Sequence, residues 1–237
     1  TLDLQILGQR HKDLKNGLSA PPKLTLPTML DLATRWRWGM GMLQTKRRFF
    51  GNIVGHAKGV ADPSSLMSWT AEQFDEQLDW DKIARIRDMW GGKLILKGIL
   101  DPADAIIVSN HGGRQLDGAL SSIRMLPHIV KAVGDRVEVH LDSGIRSGQD
   151  VLKALALGAH ATWIGRAWLH GLGAMGEAGV TRALQIIRKE LDITMALCGE
   201  RDVRDIGPQN VMIPRGFLDE YDIEAPNRPS QIAPVAV

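Results

Sequence analysis

The stretch A-I-I-V-S-N-H-G-G-R-Q-L-D-G, residues 105–118, decides how this chain is read. Its first four residues are apolar and read as a buried strand, and the loop begins where they end. Gly112 and Gly113 let the backbone turn through conformations closed to other residues. His111 and Arg114 therefore stand at the carboxyl end of a strand, where parallel α/β proteins place their chemistry. A histidine in such a place can act as a base, and an arginine three positions on can hold an anion. By itself the pair also fits a satisfied turn histidine beside a solvated arginine.

Outward from this point the chain alternates. Ile83, Ile86 and Met89 with Trp90 recur at helical spacing, and Gly91-Gly92 ends that helix. Residues 94–100 read as a buried strand and 105–109 as the next. Residues 121–133 form a helix carrying Ile123, Leu126, Val130 and Val133, stopped by Gly134. A strand follows over 137–141. Ser147 with Asp150 has the form of a capping box, opening a helix over 149–157 that ends at Gly158. Residues 161–164 are another strand, and Val180, Leu184, Ile187 and Leu191 mark a long final helix. Strand–helix alternation predicts a parallel sheet covered by helices. Four strands can be counted, plus a strand remnant at residues 1–4. A complete (β/α)8 barrel needs eight strands and typically about 250 residues. The expected fold is therefore α/β: the C-terminal half of a (β/α)8 TIM barrel over residues 1–206, followed by an irregular tail, 207–237.

Two features interrupt that pattern. Residues 16–70 read as one long irregular connection, a length that is usually functional or mobile. Only residues 101–104 separate two apparently parallel strands, whereas a parallel crossover normally takes about a dozen or more residues. The expectation is a chain truncated at its start, internally shortened, and broken between Asp104 and Ala105.

Composition narrows the class. Hydrophobic residues make up 44% and charged residues 24%, which is ordinary for a globular core. A net charge of +2 is too mild to imply nucleic acid. The single cysteine, Cys198, excludes an internal disulfide and fits a reducing compartment. It lies in the apolar stretch 193–198 and is expected to be a buried structural thiol. There is no signal-peptide pattern, and no apolar run approaches the roughly 20 residues of a membrane span.

Five clusters fall at strand ends: Asp3 with Arg10; Lys97; His111 with Arg114; Asp142–Arg146, D-S-G-I-R; and Gly165-Arg166. Each has a plain explanation when taken singly, a snorkelling lysine or a solvated arginine. Five at successive strand ends favour one shared site. Glycine admits backbone N–H groups close to a phosphate, and guanidinium forks onto its oxygens. Barrel enzymes often hold phosphate after strands seven and eight, so the last two clusters suggest a phosphorylated ligand.

The string at 109–118, with L-G-Q-R-H-K-D-L-K-N (7–16), L-I-L-K-G-I-L-D-P (94–102), S-G-Q-D-V-L-K-A-L-A-L-G-A (147–159) and G-L-G-A-M-G-E-A-G-V (171–180), resembles the FMN-dependent α-hydroxy-acid dehydrogenase/oxidase family. The resemblance spans residues 1–206 and is greatest to its bacterial membrane-associated L-lactate dehydrogenases. It implies an FMN enzyme that oxidises L-lactate to pyruvate. His111 would be the base at the substrate's Cα–OH carbon, and Asp3 would favour its imidazolium form. Arg114 and Arg10 would clamp the substrate carboxylate. Lys97 would face the flavin's N1–C2 edge and offset the negative charge the ring takes on. Thr1 and Ser109 would touch the flavin. Asp142, Ser143, Gly144 and Arg146, with Gly165 and Arg166, would hold the ribityl phosphate. The family usually has Asp-Gly-Gly where this chain has Asp142-Ser143-Gly144. The family's N-terminal half, with two active-site tyrosines, has no counterpart; the lone Tyr221 matches neither.

Residues 31–60 interleave Trp36, Trp38, Met40, Met42, Leu43, Phe49 and Phe50 with Arg35, Arg37, Lys46, Arg47 and Arg48. Such a segment suits an anionic bilayer surface, and the resembled family carries its membrane anchor in this connection. The expected setting is the cytoplasmic side of the inner membrane, peripherally bound, with a quinone-type electron acceptor, no nucleic acid, no metal, and a homo-oligomer when complete. Two other readings compete. One is oxidation of another 2-hydroxy acid, glycolate or mandelate. The other is an inactive fragment acting as an interaction module.

Overall fold

The computed structural model describes residues 15, 25–45, 69, 79–92, 94–99, 107–116, 118–133 and 136–218. The chain divides into two compact units, one of Thr1–Leu96 with Gly113–Ala119 and one of Lys97–Gly112 with Leu120–Val237.

In the first unit, helices α1 (Leu26–Thr34) and α2 (Trp36–Gln44) stand where the composition predicted irregular chain. Pro27 near the start of α1 suits a first helical turn, while Gly39 and Gly41 weaken the helical signature of α2 without preventing it. Asp31 pairs with Arg35 at 3.4 Å across the join. Helix α3 (Trp80–Trp90) has the boundaries its local signals demand. The Asp79 side chain caps it by accepting the Lys82 N–H at 2.9 Å, and Gly91 closes it in a left-handed conformation with φ 63°.

The second unit carries a four-stranded sheet: β1 (Lys97–Ile99), β2 (Ile107–Val108), β3 (His140–Asp142) and β4 (Ala161–Trp163). The strands run parallel, each beside the next in sequence. This sequential winding is that of a (β/α) barrel, not of a doubly wound sheet, whose strand order reverses. The strands are shorter than their apolar runs: residues 94–96 lie outside β1, and β3 starts three residues later than predicted. The break expected between Asp104 and Ala105 lies outside the described residues.

Helix α4 (Ser122–Val133) covers the sheet. Leu126 and Ile129, both fully buried, pack with Val108 of β2 and with Val139 and Leu141 around β3. Each such side chain contributes about 1.5–3 kcal/mol. Leu141 faces this core, so alternation puts His140 and Asp142 on the opposite face of the sheet. Helix α5 (Gly148–Ala156) has the predicted capping box between Ser147 and Asp150. Its first N–H, that of Gly148, donates to Glu190 Oε2 at 2.9 Å. A Cβ on Gly148 would stand 2.0 Å from the Leu191 nitrogen and 2.6 Å from the Ile187 carbonyl. Both obstacles are backbone, so Gly148→Ala is expected to lower the unfolding free energy by about 1–3 kcal/mol. The urea midpoint of the variant measures this.

The final helix, α6 (Arg166–Leu197), begins earlier than predicted and is kinked at Met175 and Gly176, where φ is −143° and 61°. At the fold-back Gly171 and Gly179 meet backbone to backbone, leaving no room for a side chain on either. The end of α6 corrects the expectation for Cys198. Helical periodicity turns Met195 into the core with Leu152, Ala156 and Ile206, and leaves Cys198 exposed. Residues 207–218 form one 3-10 turn, Pro208–Asn210, and irregular chain.

Candidate active site

Ser109 lies immediately beyond β2 and is 1% exposed. Its hydroxyl donates to Asp142 Oδ2 at 2.5 Å and accepts from Lys97 Nζ and from the His111 N–H, both at 3.2 Å. That uses the one donor and two acceptor positions of a serine hydroxyl in full. Lys97 and Asp142 complete the group with an ion pair of 3.0 Å, their side chains 24% and 16% exposed. Three neighbouring strands thus bring together residues 12 and 33 positions apart. Lys97 opens β1, whereas Asp142 closes β3.

Burial alone pushes the Asp142 carboxyl up. The hydrogen bond from Ser109, then the bond and charge of Lys97, outweigh that and hold it below the ordinary carboxylate range. A carboxyl depressed in the folded state stabilises fully above its unfolded value of about 3.9. That stabilisation is lost as pH falls through the lower folded value. The unfolding midpoint of the unsubstituted protein should therefore fall more steeply between about pH 5 and 3 than that of Asp142→Asn. Parallel slopes would remove the linkage.

His111 occupies a left-handed backbone position, φ 53°, at the head of the turn His111–Gly113. Histidine is among the few side chains enriched there, and such outliers gather at functional sites. Its ring lies along the backbone of Gly98: a Cβ on Gly98 would be 3.6 Å from His111 Cε1. This puts the imidazole next along the chain from Lys97. Past Asp142, Ser143 and Gly144 have φ 83° and 89°. The space beside Gly144 and Gly165 is open, and the exposed Arg146 and Arg166 flank these glycines in sequence. Open glycine backbone with arginines next to it in sequence, and an ammonium at Lys97, are the donor types that fit a phosphate-bearing flavin.

Several expected site residues are placed differently or not at all. Thr1, Asp3 and Arg10 lie outside the described residues. Arg114 is exposed and belongs to the first unit. The Asp142 carboxylate faces Lys97 and Ser109, as counter-ion to the lysine. Arg166 donates from Nη2 to the Gly112 carbonyl at 3.2 Å, and Arg146 from Nη1 to the Ile145 carbonyl at 2.9 Å. Sequence reasoning missed Gly98 beneath the histidine and the pair formed by Trp163 Nε1 and His140 Nδ1 at 3.1 Å. Period-two alternation from Asp142 could have found His140, since both face away from the helices.

The family described as FMN-dependent dehydrogenase matches residues 1–213. The chain belongs to this family. Among its relatives the L-lactate dehydrogenase of Caulobacter vibrioides (strain NA1000 / CB15N) is 44% identical over 220 residues, covering 87% of this chain and 56% of the relative. That of Pseudomonas aeruginosa (strain LESB58) is 39% identical over 225 residues, covering 90% and 58%. The chain thus spans little more than half the length of the curated relatives it matches. A crystal structure of the monotopic membrane protein (S)-mandelate dehydrogenase superposes with a TM-score of 0.82 at 34% identity, over 89% of this chain and 58% of that one. A mandelate oxidase variant with (S)-mandelic acid superposes with a TM-score of 0.52 at 44% identity, over 53% and 41%. The sequential parallel strands are accordingly part of the barrel of FMN-dependent dehydrogenases, and FMN is the family's cofactor.

Proposed function

We propose that the protein bearing this chain oxidises L-lactate to pyruvate and passes the electrons to a quinone-type acceptor at a membrane. The observation that carries the chemistry is the partly buried Lys97–Asp142 pair with Ser109, beside a histidine held in a left-handed turn. Bound FMN supplies the two-electron acceptor. His111 takes a proton from the substrate's Cα–OH centre, and Asp3 favours the imidazolium that results. Arg114 and Arg10 hold the substrate carboxylate by bidentate guanidinium bonds. Lys97 presents a fixed ammonium, kept in place by Asp142 and Ser109, where negative charge builds up. Arg146 and Arg166, with the backbone at Ser143, Gly144 and Gly165, hold the ribityl phosphate, and Thr1 and Ser109 contact the flavin.

L-lactate is favoured by relatives of that name at 39–44% identity across most of the chain. The likeness to (S)-mandelate dehydrogenase supports a second reading, oxidation of an aromatic 2-hydroxy acid. The visible spectrum separates them: flavin bands bleached by L-lactate support the first, and bands bleached by (S)-mandelate alone support the second. Protein that holds no flavin overturns both.

Among the described residues no helix is long and apolar enough to cross a membrane. Helices α1 and α2 nevertheless expose Leu26, Leu30, Trp36, Trp38 and Leu43, with Arg37 stacked 5.4 Å over Trp36. On this reading the membrane-facing segment takes in α1 and α2 and so starts before residue 31; residues 46–60 lie outside the described residues. These helices lie on the cytoplasmic leaflet, apolar side chains in the headgroup boundary, with basic residues worth about 1 kcal/mol each against anionic lipid. Flotation with anionic vesicles should succeed at low salt and weaken at high salt. Protein that stays with the soluble fraction at low salt ends this part of the proposal.

A further inference from the structure

Ser143 keeps a side chain at φ 83°, in the left-handed region that glycine adopts without strain. Its hydroxyl accepts the Gly112 N–H at 3.0 Å, donates to Asp142 Oδ2 at 3.4 Å and lies 3.5 Å from Ser109 Oγ. Its own carbonyl accepts from Ser122 Oγ at 3.3 Å, which ties the bend to the start of α4. Gly112 is also held on its other side, where its carbonyl accepts from Arg166. Gly112 itself stands at φ 70°, where a side chain is strained, and a Cβ there would meet the movable end of Arg166 at 2.6 Å from Nη2. The two peptide groups flanking the Gly112 α-carbon are thus gripped from the end of β3 and from the start of α6. The first of them is the peptide that follows His111.

We infer that Ser143 is a positioning residue for the base: its hydroxyl latches the His111–Gly112 peptide to the end of β3 and so fixes where the imidazole sits. The inference rests on the reading of His111 as the base. It accounts for a side chain kept at a strained backbone position, since glycine there would relieve the strain and leave the Gly112 N–H without this acceptor. It also links the segment that holds phosphate in the proposed function to the segment that holds the base, through one hydroxyl.

Two substitutions separate strain from the latch. Ser143→Gly removes both, and Ser143→Ala removes the latch while keeping the strain. In the FMN-loaded enzyme both should slow flavin reduction by substrate about fivefold to tenfold, the worth of one neutral hydrogen bond. Both should also shift the pH profile of that step, which a merely structural role would leave in place. Melting temperature should rise or hold in Ser143→Gly and fall in Ser143→Ala. Amide exchange at Gly112, followed by NMR, should be at least about fivefold faster in both, by the same hydrogen-bond arithmetic. Unchanged Gly112 exchange overturns the latch. Faster exchange with an unmoved rate and pH profile overturns its link to the base. Failure of the functional reading shows separately, as unsubstituted protein whose flavin no 2-hydroxy acid bleaches; that removes the link to the base and leaves the exchange test of the latch standing.

Discussion

On the proposed function, His111→Asn should leave FMN bound and slow flavin reduction by L-lactate by about 10²- to 10⁴-fold, the usual worth of a positioned general base. Asparagine is the apt replacement because it tolerates the left-handed backbone that His111 adopts at φ 53°. The turn then keeps its shape, and the His111 N–H bond to Ser109 is a backbone contact that survives the change. What is lost is the imidazole lying along Gly98, and with it the ring nitrogen proposed to take the substrate's proton. Stopped-flow bleaching of the flavin measures the step directly. Near-normal bleaching with the flavin retained ends the assignment of His111 as base.

Lys97→Met acts on the other half of the site. It removes the only cationic partner of Asp142 among the described residues and the fixed positive charge on β1. Loss of one preorganised electrostatic contact in a catalytic site typically costs about 10²- to 10³-fold in rate. The flavin's reduction potential should fall as well, because the reduced ring loses a neighbouring cation. Asp142 then keeps the Ser109 hydroxyl but no counter-ion, so its carboxyl should ionise less readily and the acid sensitivity of folding should lessen. Lys97→Arg keeps the charge but not its compact shape, and should recover only part of the rate. A variant with unchanged rate and unchanged potential would show that Lys97 serves the Asp142 pair alone.

Much of this was legible wherever the signal was local. The capping box at Ser147 and Asp150 and the glycine stop after Trp90 depend on side chains within one turn of the bond they make, so residue order suffices to find them. The alternation of apolar strands with amphipathic helices likewise announced a parallel sheet. The strand limits were not legible. An apolar run marks what is buried, but pairing with neighbours decides which residues enter the ladder, and so 94–96 stayed out of β1 while Asp142 entered β3. Helices α1 and α2 were hidden by Pro27, Gly39 and Gly41, whose low propensities count for little against the rest of the segment.

Residue order alone marked a histidine, a lysine, an aspartate and several arginines beside successive apolar runs, because each lies next to its own run in the chain. Only the tertiary structure decided that the Asp142 carboxylate answers Lys97, that Ser109 joins the two, and that Ser143 grips Gly112. Those contacts cross between strands, Lys97 to Asp142 spanning β2 from β1 to β3, over separations of 12 to 45 residues along the chain. Their geometry follows from the parallel register, which pairs Ile107 with His140 and Val108 with Leu141 and so sets Ser109 opposite Asp142. Register is fixed by burying one whole face of every strand at once, a cooperative property that no local stretch of sequence carries.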